Sequence, residues 1–191
     1  MKIVSIDIET TGLSVMETDI IEFGAILDDL SDRKPINSLP SFHCYFTKDR
    51  YVGEPFALSM HSKIFERIAL KGEEINRRNY HYYNAEKFGS AFKQFLLSHG
   101  YETERDRVTI NAAGKNFAAF DLQFLRYKTD FEKHIQVRSR IFDPGILYLR
   151  ADDEAIPGML ECKRRAGITG EIQHNAIDDA KDVVALLRYK L

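Results

Sequence analysis

The first ten residues alternate between apolar and polar side chains in the way that a β-strand does. Val4, Ile6 and Ile8 occupy alternate positions and therefore share one face. Asp7 and Glu9 share the opposite face, and the Thr-Thr-Gly sequence that follows ends the strand and turns the chain. The pattern predicts a strand with one apolar face and two carboxylates side by side on the other.

Similar patterns predict the remaining elements. Two further strands are expected at 19–28 and 42–47, with a polar loop at 29–40 between them. Helical spacing and capping residues predict helices at 58–70, 84–99, 115–127, 146–150, 159–166 and 176–191, and short strands at 108–110 and 139–142. Strands followed by alternating strands and helices indicate an α/β fold with a mixed sheet. Without a repeat or a linker, the chain is expected to form one domain, 1–191.

The segment 71–83 is basic and rich in tyrosine. Such residues can stack on bases and hold phosphates, but a solvated surface loop is the favoured interpretation. The basic and aromatic positions are Arg77, Arg78, Tyr80, Tyr82 and Tyr83.

Composition narrows the class of protein. The chain is 44% hydrophobic and 29% charged, as globular domains are, and no apolar run approaches the roughly 20 residues of a membrane helix. No membrane partner is expected. A strand at the very start leaves no room for a secretory signal, and two distant cysteines favour reduced thiols, so we expect a cytoplasmic location. A net charge of −2 argues against holding long duplexes by electrostatics alone, although bound cations would still attract phosphates.

Four carboxylates and one histidine are candidates for chemistry. Asp7 and Glu9 repel each other unless a hard divalent cation offsets their charge, the alternative being an edge strand with solvated acids. Asp121 is a lone acid in an aromatic and aliphatic run, where it is either a ligand or a cap. Asp179 stands in the first turns of the last helix, where the helix dipole alone favours an acid, and His174 precedes that helix.

Together these residues predict a metal site. Four carboxylates suffice for two Mg²⁺ or Mn²⁺ ions about 3.5–4 Å apart, which can activate a water and stabilise a leaving oxygen at phosphorus. An imidazole titrates near neutral pH, so His174 can accept the proton of that water.

The chain resembles the histidine-bearing branch of the DEDD exonucleases, DEDDh, which includes the epsilon proofreading subunit of bacterial DNA polymerase III, ribonuclease T and oligoribonuclease. The resemblance covers nearly the whole sequence. It rests on three motifs in order: Asp7-Ile8-Glu9-Thr10-Thr11-Gly12-Leu13, then Asn116 through Asp121, and then His174-x-Ala176-x-x-Asp179-Ala180.

The resemblance implies a ribonuclease H-like fold, with a five-stranded mixed sheet flanked by helices. It implies hydrolysis of single-stranded DNA or RNA from the 3′ end, two divalent metal ions, and release of nucleoside 5′-monophosphates. Asp7, Glu9, Asp121 and Asp179 would hold the metals and His174 would be the general base. Asp178 is expected to face solvent or to cap the helix.

The resemblance also implies a set of substrate-binding residues. The backbone from Thr10 to Leu13 would hold the terminal nucleotide, with Leu13 against its base. The full set is Thr10, Thr11, Gly12, Leu13, His61, Asn116 and Phe117. His61 is the weaker member, because Ser62-Lys63 departs from the His-Gly-Ile sequence that many relatives carry.

Two alternatives to an exonuclease stay open at the level of the sequence. One is a non-catalytic nucleic-acid-binding or scaffold module with the same fold. The other is a phosphohydrolase of dinucleotides. A homodimer and association with a polymerase are both compatible with the resemblance.

Overall fold

Strand β1, Lys2–Thr10, lies inside the sheet that organises the molecule. It pairs antiparallel with β2, Ile20–Asp29, and parallel with the short β7, Ala112–Ala113. On the far side of β2, β3 (Ser41–Phe46) pairs antiparallel with it, and β4 (His81–Tyr83) pairs parallel with β3. The five-stranded mixed sheet has the order β4-β3-β2-β1-β7, which confirms the expected sheet. The computed structural model describes residues 1–70, 81–169 and 174–191.

A second, three-stranded sheet was not anticipated. It consists of β5 (Thr103–Glu104), β6 (Arg107–Ile110) and β8 (Ile135–Val137), in the order β5-β6-β8. The strand expected at 108–110 therefore belongs to this smaller sheet. The strand expected at 139–142 is only a single bridge between Ala113 and Phe142, because β7 is two residues long and offers no longer ladder.

The helices flank the main sheet. Within the described residues they are α1 (Pro55–Met60), α2 (Ser62–Ala69), α3 (Ala85–Ser98), α4 (Asp121–Lys128), α5 (Phe131–His134), α6 (Pro144–Leu147), α7 (Met159–Ala166) and α8 (Ala176–Lys190). The expected cap of α3 is present, since the Asn84 side chain accepts a hydrogen bond from the Glu86 N–H. None of the helices in the described ranges is both long and apolar enough to cross a lipid bilayer.

Two predicted helices differ from the structure at their starts. The helix expected at 58–70 is two helices that meet at His61, and the first begins at Pro55, whose fixed φ favours a first helical position. The helix expected at 115–127 begins only at Asp121. Residues 115–120 form turns, because Asn116 has φ 58°, which an α-helix cannot contain.

The segment 71–83 was expected to be a loop throughout. Its last three residues are instead β4, in which Tyr82 packs against Tyr45 of the neighbouring β3 with ring centroids 5.6 Å apart. Arg77, Arg78 and Tyr80 lie outside the described residues.

The two faces of the main sheet carry different helices. Val4, Ile6 and Ile8 of β1 face a core shared with α3 and α4, whose largest buried rings are Phe88, Phe92 and Phe124. The opposite face packs on α8, where the Ser5 hydroxyl donates to the Ala180 carbonyl at 2.8 Å. Asp7 and Glu9 follow Ser5 on that second face, so both carboxylates point to the side on which α8 begins.

Candidate active site

Three carboxylates meet where β1 ends and α8 begins. Asp7, Glu9 and Asp179 each offer one oxygen, and these three oxygens lie within 4.8 Å of one another. Gly24, which pairs with Asp7 across the sheet, makes this approach possible. A Cβ at Gly24 would lie 2.4 Å from the carbonyl carbon of Ala176, so the absence of a side chain lets the start of α8 rest directly on β2.

Asp121 reaches the same region from the other side of β1. Because β7 pairs with β1 only at Val4 and Ser5, the N–H of Ile8 lies beyond that ladder. The Oδ1 of Asp121 accepts a hydrogen bond from this N–H at 3.1 Å. This hydrogen bond fixes the buried carboxylate of Asp121 at the backbone of Ile8, the residue between Asp7 and Glu9.

The four acids sit in surroundings that disfavour their charged forms. Burial raises the pKa of Glu9 to about 9, with added repulsion from Glu22, Asp179 and Asp121. Burial and the neighbouring carboxylates, Asp121 first, likewise raise the pKa of Asp7 well above its usual range. Burial also raises the pKa of Asp121 to about 7, although two backbone N–H groups oppose the shift, and the pKa of Asp179 to about 6.

These observations fit a site for divalent cations. Oxygen donors are what Mg²⁺ and Mn²⁺ prefer, and a cation would relieve the repulsion that adds to burial in raising the pKa values of Asp7 and Glu9. The Oδ1 of Asp179 is buried and finds no hydrogen-bond partner within the described part of the chain. A buried acceptor without a donor is costly, and a bound cation would satisfy it.

The two histidines differ in exposure. His174 is exposed, has φ 47°, and its charge lowers the pKa of Asp179. His61 is 3% exposed, and its Nε2 lies 3.4 Å from Oε2 of Glu9. Burial lowers the pKa of His61 and so disfavours its charged form, although Glu22 opposes the shift.

The loop after β1 is held in place by its own polar groups. The Thr11 hydroxyl accepts from the Asp19 N–H at 2.7 Å, and Oε1 of Glu54 accepts from the Leu13 N–H at 3.0 Å. The Thr10 hydroxyl donates to the carbonyl of Gly12 at 2.8 Å. Leu13 itself is 77% exposed, so an apolar side chain projects into solvent from the loop that follows β1.

The two candidates before Asp121 have different surroundings. Asn116 is exposed, and its backbone N–H donates to Asp143 at 2.9 Å. Phe117 is 1% exposed and belongs to the main core. The Phe117 ring packs in the core beneath the turn that leads to Asp121, and its role in substrate binding stays a prediction.

The side chain of Asp178 is 41% exposed, as expected of a residue that faces solvent. Its Oδ1 accepts from Lys181 at 2.8 Å in a half-exposed ion pair one turn along the helix. Asn175, not Asp178, caps α8, since its side chain accepts from the N–H of Ile177 and of Asp178.

The sequence interpretation missed Glu22 and His43. Glu22 lies directly opposite Glu9 in the sheet, is 1% exposed, and has its Oε1 2.6 Å from Nε2 of His43. A signal was available, because Glu22 is the one acid within the apolar run 20–27, as Asp121 is in its own apolar run.

The structure resembles solved nucleases at low sequence identity. The zinc-bound complex of E. coli exonuclease I with single-stranded DNA matches with a TM-score of 0.61 and 16% identity, over 98% of this chain and 40% of that one. S. pombe Pop2p, in a Mg²⁺- and Mn²⁺-bound form, matches with 0.59 and 15%, over 97% and 81%. Cell-death related nuclease 4 matches with 0.66 and 12%, over 98% and 62%.

No protein-family model and no curated protein matches the sequence. At such identities the likeness shows the fold alone, and this chain spans 40% of the exonuclease I chain. The fold is the ribonuclease H-like one of these nucleases, in agreement with the resemblance drawn from the three motifs.

The raised pKa of Glu9 predicts that the metal-free protein loses stability between pH 7 and 9. Glu9 binds its proton more tightly in the folded state than in the unfolded chain, where a glutamate titrates near pH 4.3. Its contribution is present at low pH and is lost as the pH rises through the folded pKa of about 9. We expect the Tm in EDTA, followed by circular dichroism, to fall over this interval.

Two controls accompany this measurement. Glu9→Gln should flatten the decline, and Mn²⁺ should raise the wild-type Tm most at pH 9, where the carboxylates are ionised. A wild-type Tm in EDTA that rises from pH 7 to 9 would contradict the assigned pKa shift.

Proposed function

We propose that the protein is a metal-dependent 3′→5′ exonuclease that hydrolyses phosphodiester bonds at single-stranded DNA or RNA 3′ ends and releases nucleoside 5′-monophosphates. The observation that carries the proposal is the meeting of Asp7, Glu9 and Asp179, with Asp121 fixed beside them, next to an exposed His174. The fold shared with exonucleases supports it.

Asp7, Glu9, Asp121 and Asp179 would hold two divalent cations, Mg²⁺ or Mn²⁺. Bound there, the cations would supply Lewis-acid stabilisation of the charge that develops on the phosphoryl group. The chemistry of the donor set and the unpartnered Asp179 oxygen support the assignment. So do the metal-bound forms in which exonuclease I and Pop2p were solved.

His174 would act as the general base for the attacking water. Its ring is exposed at the edge of the carboxylate cluster, close enough for its charge to affect Asp179. It also lines an open groove of about 370 Å³, through which the accepted proton can pass to solvent. The buried His61 would orient Glu9 or contact the terminal nucleotide.

The loop 10–13 would hold the last nucleotide of the strand. Thr10, Thr11 and Gly12 would act through their backbone, since the two threonine hydroxyls are engaged within the protein. The exposed Leu13 would pack against the base, and Asn116 would line the same pocket. Association with a second copy or with a polymerase, and a single domain over 1–191, belong to the proposal too.

Labelled strands test the proposed activity directly. Matched 3′- and 5′-labelled single-stranded DNA and RNA should shorten from the 3′ end with Mg²⁺ or Mn²⁺, and remain intact in EDTA. The rates on the two sugars identify the preferred one. Cleavage of dinucleotides alone would favour the phosphohydrolase, and intact strands in the presence of bound metal would favour a non-catalytic module.

Neighbouring acids on α8 provide a matched pair of variants. Asp179→Asn removes a proposed ligand and should lower kcat about a hundredfold or more, since a metal contributes several kcal/mol to the transition state. Asp178→Asn removes only a half-exposed ion pair with Lys181 and should retain activity. Steady-state kinetics of both purified variants check the expectation, and equal losses would contradict the assignment of Asp179.

Replacing His174 separates a base from a ligand. His174→Ala should lower kcat by about 10²–10⁴, the usual contribution of a general base, while Mn²⁺ affinity stays near that of the wild type. Titration of Mn²⁺ by electron paramagnetic resonance measures the affinity. A collapse of Mn²⁺ binding with an unchanged rate at saturating metal would make His174 a ligand instead.

A further inference from the structure

Glu22 is a fifth buried carboxylate next to the four proposed ligands, and both of its oxygens are engaged. Oε1 lies 2.6 Å from Nε2 of His43, and Oε2 accepts a hydrogen bond from the backbone N–H of Ala176 at 3.0 Å. Glu22 is therefore occupied, and the three oxygens that converge for a cation are those of Asp7, Glu9 and Asp179.

The contact with Ala176 fixes the start of α8. Ala176 is the first residue of that helix, and its N–H is one of the donors that a helix leaves unsatisfied at its beginning. Asn175 caps the next two N–H groups, and Gly24 lets the helix backbone touch β2. The carboxylate of Glu22 on β2 accepts the hydrogen bond of the first N–H of the helix, that of Ala176.

The two proposed functional residues of α8 flank this contact. His174 precedes Ala176 by two residues and Asp179 follows it by three. The other proposed ligands, Asp7 and Glu9, belong to β1, which is paired with the strand that carries Glu22. A change in how α8 meets β2 therefore moves His174 and Asp179 together, relative to the acids of β1.

We propose that Glu22, held by His43, is a positioning residue that sets His174 and Asp179 against Asp7 and Glu9. The inference rests on the proposed exonuclease function and adds to it a residue outside the ligand set. The proposal rests on the geometry of this contact, which lies between the two proposed functional residues of α8 and directly opposite Glu9 in the sheet.

The same strand and helix provide a control. Asp28 of β2 is 1% exposed and binds Arg188, near the other end of α8. It ties α8 to β2 just as Glu22 does, but at the end remote from the carboxylates. Asp28→Ala therefore measures the stability that is lost when the far end of α8 is released while the start of the helix stays in place.

The experiment compares Glu22→Ala, Glu22→Gln and Asp28→Ala. For Glu22→Ala we expect kcat on a single-stranded oligonucleotide to fall about 10–100-fold, as it does when an outer partner of a metal ligand is lost, with KM little changed. Glutamine keeps an oxygen that can accept from Ala176, so Glu22→Gln should recover most of the rate. Asp28→Ala should lower the Tm but keep kcat within about twofold of the wild type.

Amide hydrogen exchange at Ala176, followed by nuclear magnetic resonance, tests the same point without any turnover. Glu22→Ala should accelerate exchange there and Glu22→Gln and Asp28→Ala should not. Equal kcat losses in Glu22→Ala and Asp28→Ala, or unchanged exchange at Ala176 in Glu22→Ala, would overturn the positioning role. A wild type that degrades no strand would instead overturn the proposed function, and the exchange measurement would still decide the role of Glu22.

Discussion

The burial of several carboxylates close together is the constraint on which the rest of this structure depends. Burial raises the pKa values of all four acids at the end of β1, and repulsion from the neighbouring site carboxylates adds to the shifts of Asp7 and Glu9. A chain under selection for stability alone would place apolar side chains there, as it does on the opposite face with Ile6 and Ile8. The acids are tolerable because the sheet, the turn before α4 and the start of α8 hold them rigidly, and because a divalent cation can neutralise them.

Close backbone approach is what brings the acids together. Gly24 lets α8 rest on β2, and a Cβ at Gly114 would lie 2.7 Å from the Ile6 carbonyl, so the turn that leads to Asp121 passes directly over β1. Hydrogen bonds to backbone then fix each side: the Ile8 N–H to Asp121 and the Ala176 N–H to Glu22. The precision of the site therefore comes from backbone contacts rather than from the acids themselves.

The sequence predicts which carboxylates form the site better than it predicts the backbone conformation that brings them together. Alternation along β1 places Asp7 and Glu9 on one face, and a lone acid among aromatic residues identifies Asp121. The sequence does not reveal that α4 begins only at Asp121, because the apolar spacing of 115–127 is helical throughout. The left-handed backbone conformation of Asn116 is set by tertiary contacts and not by the local sequence. Glu22, like Asp121, is a single acid within an apolar run. The local sequence does not tell which buried acid binds a helix and which would bind a metal.

The contact between Glu22 and Ala176 joins residues 154 positions apart, and that between Ser5 and Ala180 joins residues 175 apart. Contacts of such long range form late, since the entropy of closing the loop must be met first. During synthesis, the acids of β1 precede Asp179 by nearly the whole sequence. Asp179 is therefore the last of the four acids to be made, and the cluster is complete only once α8 has docked on the sheet.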